Sequence, residues 1–200
     1  MSHFPHATEF PEPAPVPPGR WPELQTALAA VNRDLRATLP EQEPLILVAV
    51  PAWESAATGD RVPEHVYVAM ADGSWQGNSL NEYDPEDGGR DWPAEPATVL
   101  GMVADAAQET VMELLWQAWP TCWVHKSGVH VRTPGTGPDG ESGEEPPPGR
   151  AGEAAGQPVW WCRGGRAGEC HDLAAVGELA EALPGRQRRD FRRGERETRR

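Results

Sequence analysis

Cysteine, lysine and long apolar runs are all scarce in this chain, and each scarcity removes a class of protein. Three Cys, an odd number, do not make a disulfide framework. No apolar run reaches the roughly 20 residues that span a bilayer. The longest, PLILVAVPAW at 44–53, is strand-sized and broken by Pro51. The N-terminus, MSHFPHATEFPEPAPVPPGR, has neither an early basic region nor an apolar core, which speaks against a signal peptide. No glycine-rich phosphate loop follows a strand, no HExxH pattern occurs, and no Ser-His-Asp set can be placed. No internal repeat is visible. The expected location is cytoplasmic, where reduced thiols favour metal binding over disulfides.

What is present is glycine, proline, tryptophan and acid. Gly and Pro supply 21 and 22 of the 200 residues, and apolar residues only 38%. That balance fits a modest folded core with disordered segments attached. Nine Trp argue that the core is real, because large aromatics dominate burial energetics. The net charge of −13 repels nucleic acid and anionic membrane surfaces. The exception is residues 186–200, RQRRDFRRGERETRR, with eight Arg against three acids. This basic tail is a possible nucleic-acid contact; the plainer reading is a solvated, disordered tail.

Along the chain, residues 1–20 hold six prolines and read as a disordered arm. His3 and His6 lie in it and are weak candidates for a metal. A helix is expected from Pro22, with Leu24, Leu28, Val31, Leu35 and Leu39 as its apolar stripe and Pro40 as its stop. Arg33, Asp34 and Arg36 fall off the stripe and read as a solvated face. PLILVAV (44–50) reads as a central buried strand. EHVYVAMADG (64–73) alternates, with Val66, Val68 and Met70 on one face. Asp72-Gly73 is a hairpin turn signal, so SWQGNSL should return as a poorer third strand. Between and after these strands, ATGDRVP and NEYDPEDGGRDWPAEP read as loops.

The strongest helical pattern runs over 97–119 and should end at Pro120. Its Val99, Val103, Val111, Leu114, Leu115 and Ala118 form the apolar side, and Asp105, Glu109 and Glu113 line the opposite side. Such a carboxylate row can serve a metal or acid–base chemistry. A solvated face explains it as well, and no His at helical spacing completes a di-metal set. SGVHVR (127–132) and PVWWCRG (158–164) read as two strands of a hairpin. The stretch 133–157 between them, rich in Gly, Pro and Glu, reads as a disordered insertion. DLAAVGELAEAL (172–183) fits either a short strand followed by a helical turn, or one helix capped by Asp172.

Two N/S pairs sit beside that hairpin. Cys122-x2-His125 has the spacing of a metal knuckle, and Cys162 ends the second strand, with Cys170-His171 shortly after. Two thiolates neutralise a dication and two imidazoles complete a tetrahedral set, which is the chemistry of structural zinc. The ion would also supply folding energy to a segment with few apolar residues. The candidate metal ligands are therefore Cys122, His125, Cys162 and His171, with Cys170 as the alternative to His171. His130 falls on a strand face and reads as exposed. The plainer alternative makes the cysteines small core residues. A reactive Cys122 with His125 as base is a further one.

DAAQETVMELLWQAWPTCWVH followed by VWWCRGG…CHDLAAVGEL resembles a group of uncharacterised small proteins of high-GC bacteria. Those carry a helix ending in Trp-Pro, a Cys-Pro-x-His turn, and a later Trp-x-Cys with Gly-His before a VGEL-like end. The resemblance covers about residues 97–180 and implies Cys122, His125, Cys162 and His171 as the site. Trp123, Arg163 and Cys170 depart from the group's pattern, which leaves the fourth ligand open. The resemblance implies no activity.

The expected fold is α+β: a small sheet with two packed helices, then a zinc-ribbon-like β-hairpin. The expected layout is an arm at 1–20, an α+β domain at 21–120, a metal-binding segment at 121–183 and a tail at 184–200. The expected function is non-enzymatic binding of a protein partner, with one structural zinc and no membrane association. The alternatives are a metal-dependent hydrolase, with Glu169 or Asp172 as base, and a nucleic-acid module using the tail.

Overall fold

The computed structural model describes residues 13–51, 64–81, 95–132, 156–164 and 170–198. His3, His6, Glu169 and most of the expected loops lie outside them, as does nearly all of the 133–157 insertion.

The architecture is α+β. Helix α1 (Pro22–Thr38) opens on a proline in its first turn, where a missing N–H costs nothing. Its stripe residues Leu24, Leu28, Val31 and Leu35 are buried against helix α2 (Pro96–Leu115). Strand β2 (Ile46–Pro51) is central in a sheet of order β1-β2-β3, flanked by β1 (Ala14–Pro15) and β3 (Glu64–Ala69). Its pairing with β3 is antiparallel, from Ile46↔Ala69 to Pro51↔Glu64. Leu47, Val66, Val68 and Met70 face the helices and join their core. At roughly 1.5–3 kcal/mol per fully buried aliphatic side chain, this burial is the main force on the first region.

A second sheet has the order β4-β5-β6, from β4 (His130–Arg132), β5 (Val159–Cys162) and β6 (His171–Ala175). The expected hairpin is β4 and β5; β6 adds a third strand, so β5 is central. That suits a four-residue run buried on both faces. The 172–183 segment is thus the strand-then-turn alternative, with the short helix α3 (Leu179–Ala182) after it. Trp119, Cys122, Val129, Trp160, Cys162, Val176 and Leu179 belong to the same core cluster as α1 and α2. The segment that carries these cysteines shares the first region's core.

Five expectations need correction. The Pro-rich arm is ordered from residue 13, because β1 pairs Ala14↔Ala49 and Pro15↔Val48 at the sheet edge. Proline is tolerated there, since an edge strand does not need every N–H. SWQGNSL forms no third strand, only a bridge between Ala69 and Trp75. The turn before it does form, with Gly73 at φ +88° and the Met70 amide donating to Ser74 O at 2.8 Å. Helix α2 ends at Leu115, short of Pro120, with Trp116 left-handed at φ 52°. The Arg-rich tail is helix α4 (Gly185–Thr198), tied down where Arg192 pairs with Glu181 and Arg188 donates to the Glu181 carbonyl at 2.9 Å. Fifth, Asp34 is fully buried, as described below. Among the described residues, no helix is long and apolar enough to cross a membrane.

Candidate metal centre

The knuckle is built by backbone bonds. The Cys122 amide donates to Ser127 O at 2.8 Å, and the Lys126 amide donates back to Cys122 O at 2.8 Å. A bridge between Thr121 and Gly128 closes the turn. Three residues apart on so tight a turn, Cys122 and His125 point the same way. On the other side, Cys162 at the end of β5 is paired directly with His171 on β6. Paired residues share a face of the sheet, so this thiol and imidazole also project together.

The structure brings Cys122, His125, Cys162 and His171 together, one ligand atom from each, all within 4.8 Å of one another. Cys122 Sγ lies 3.8 Å from His125 Nδ1 and 3.6 Å from His171 Nε2, and His125 Nδ1 lies 3.3 Å from Cys162 Sγ. A tetrahedron with metal–sulfur bonds of about 2.3 Å and metal–nitrogen bonds of about 2.0 Å has edges of about 3.3–3.8 Å. These three sulfur–nitrogen separations are edges of that size. The imidazole rings are tilted by 52° with centroids 5.1 Å apart, so they converge without stacking. Both cysteines are buried and both histidines are half-buried. The cluster could hold a metal ion.

The sulfurs are already solvated by the protein. The His125 amide donates to Cys122 Sγ at 3.5 Å, and the Gly164 amide donates to Cys162 Sγ at 3.4 Å. Ser127 Oγ sits 3.7 Å from Cys162 Sγ. Donors of this kind hold a ligand sulfur in place from behind. Gly164, at φ +80°, supplies its amide from a backbone conformation that suits glycine.

Of the other sequence candidates, Cys170, just before β6, is half-buried and outside the cluster. His130 is exposed, as expected. Asp172 is held by Arg132 at 2.9 Å, tying β6 to β4. In the carboxylate row, Asp105 and Glu113 are exposed. Though its surface is exposed, partial desolvation at its base and the Glu109 charge push the Asp105 carboxyl up, and His130 pulls it down. Glu109 is a loop anchor: its Oε2 accepts from the Asn78 amide at 3.2 Å.

The residues that hold the centre in place were not read from the sequence. Asp34, 0% exposed, accepts three hydrogen bonds: from Trp160 Nε1 at 2.7 Å, the Gly177 amide at 2.6 Å and the Leu179 amide at 2.8 Å. It thereby fixes β5, the turn after β6 and the start of α3 onto α1. Burial pushes its carboxyl up to about 6, against the pull of those donors and of Arg33. Above that value the carboxylate accepts from all three N–H groups. One helical turn on, Thr38 Oγ1 accepts from Trp119 Nε1 at 2.8 Å. Trp119 and Trp160 meet edge-to-face at 5.5 Å behind the knuckle. Gln108 on α2 donates to Trp119 O at 2.8 Å and Val129 O at 2.6 Å, spanning the knuckle's two ends.

A signal for Asp34 does exist. Ala27, Ala30, Asp34 and Thr38 form a second row of small and polar residues along α1. Gly177, at φ +94°, approaches so closely that a Cβ there would lie 3.1 Å from Ala30 Cβ. Small residues on a second face mark a second packing partner. Compared with known proteins, the chain matches no family model, no curated protein and no solved structure.

Proposed function

We propose that Cys122, His125, Cys162 and His171 bind one zinc ion as a structural staple, and that the chain acts by binding a protein partner. The carrying observation is the convergence of four N/S donors from two distant segments, at separations that suit a tetrahedral ion. Two thiolates and two imidazoles suit zinc, and a set closed by four protein ligands keeps no place for a reacting water. The hydrolase alternative needs such a place and a free base, and Asp172 is engaged by Arg132. The partner surface in this reading is apolar: Trp116 is 89% exposed and Val124, at the knuckle tip, 65%.

The test is metal content of the purified chain by mass spectrometry, with Cys122→Ser and Cys162→Ser alongside. Stoichiometric zinc that both variants lose supports the reading. A folded chain that carries no metal sinks it, and the cysteines then have only a packing role. A second reading rests on α4, a helix whose arginines mostly face solvent, as a nucleic-acid contact. Duplex binding that weakens steeply with salt would favour it.

A further inference from the structure

A cleft of about 700 Å³ lies between the C-terminal end of α1, the knuckle and α4. Its size is within the range of small-molecule sites. Its apolar lining comes from Leu39, Pro40, Trp119, Trp123, Leu183 and Phe191. Among the described residues, two cations, Arg36 and Lys126, line it against one acid, Asp190, which meets Arg193 at 3.1 Å. The Arg36 guanidinium lies 5.8 Å from the centre of the Phe191 ring. In a chain of net charge −13, a cleft with this balance is a local reversal.

Lys126 adds an independent observation. It is the only lysine in the chain. It occupies a left-handed position, φ 56°, where glycine or asparagine would sit without strain. Its amide closes the knuckle, which any residue could do, and the residue also lines the cleft. Among the described residues its ammonium has no ion pair. Strain kept at a cleft-lining cation is best explained by what that cation binds.

We propose that this cleft binds a small organic anion with a ring-sized apolar body, such as an aryl carboxylate. The body lies between Trp123 and Phe191, and the anionic group meets Lys126, with Arg36 as the second cation. The cleft shares Cys122 with the metal cluster as a wall, but the proposal does not depend on which ion is bound, or on whether one is.

The test uses the full chain and two fluorescent probes of the same shape: anilinonaphthalene sulfonate, which is anionic, and phenylnaphthylamine, which is neutral. The expected result is saturable single-site binding of the sulfonate, about 10-fold tighter than the neutral probe, as one charged hydrogen bond supplies. Lys126→Gln should remove that preference and leave the neutral probe unchanged. Phe191→Ala should weaken both. In the unaltered chain, saturating sulfonate should protect the Lys126 amine from acylation, read by peptide mass spectrometry. Equal affinity for the two probes, no saturable binding to a chain that is folded by circular dichroism, or undiminished Lys126 acylation would each overturn the proposal.

Discussion

The two sheets of this molecule are held by different means. Around β1–β3, aliphatic side chains from α1, α2 and the strands meet in one cluster, and few polar groups are needed. Asn32 and Asn81 are there to satisfy strand ends: Asn81 accepts from the Val66 amide and donates to the Glu64 carbonyl, both at 2.7 Å. Around β4–β6 the aliphatic supply is thin. Order there comes from two tryptophans, a Cys/His cluster, and polar ties that end on α1 and α2. The first region could be stabilised by area alone; the second depends on particular atoms meeting. A small α+β fold can therefore add a sheet for which it lacks the apolar residues, provided that sheet is fastened to a helix already built.

The sharpest way to break this comparison is to remove the ion that the cluster is proposed to hold. Chelation, or Cys162→Ser, should abolish the near-ultraviolet signal of Trp119 and Trp160 while most helical signal persists. Zinc bound at such sites contributes on the order of 10 kcal/mol of folding free energy. An unchanged spectrum after chelation would mean that the second sheet stands on packing alone. The converse cut is Leu24→Ala, at a fully buried position of α1. It should cost about 2–5 kcal/mol in urea unfolding and leave metal content untouched. Loss of metal with it would mean that the two regions cannot be separated.

Asp34→Asn tests the fastening itself. The amide's N–H₂ would face at least one of the three donors, so the expected cost is about 1–3 kcal/mol at neutral pH. The same group gives a pH signature. Its folded value of about 6 exceeds the unfolded 3.8, so the folded chain binds this proton more readily in that window. Its contribution is fully present below 3.8 and is lost as pH rises through about 6. Relative to Asp34→Asn, the unaltered chain should therefore lose stability as pH rises from 4 to 6, by up to about 1.4 kcal/mol per pH unit. The opposite slope would show that the donors outweigh burial. The smallest effect is at the knuckle. Lys126→Gly should raise stability by about 1 kcal/mol through relief of the left-handed strain, seen as a small shift in urea midpoint.

What could be read in the sequence followed the same division. β2 and β3 were legible, because alternation and continuous apolar runs report burial against whatever lies nearby. The pairing of Cys122 and His125 was legible as a spacing, and Cys162 with His171 as residues near strand ends. Asp34 was not, because a helix read against one stripe shows one neighbour, and its donors lie more than 120 positions away at Trp160, Gly177 and Leu179. Gln108 is not legible for the same reason: its partners are carbonyls, which no side-chain pattern announces. Helix α4 was hidden by composition. Its only apolar residue is Phe191, and its order comes from ion pairs and the Glu181 carbonyl.

The pairing of Arg132 with Val159 has a practical consequence. Both chain ends at that pair are fixed, one by the knuckle side and the other by α1. Whatever joins them closes on a gap of constant width, so doubling its length costs only about 0.6 kcal/mol. A reporter domain spliced into the connection between β4 and β5 is thus expected to leave the pairing of both strands intact.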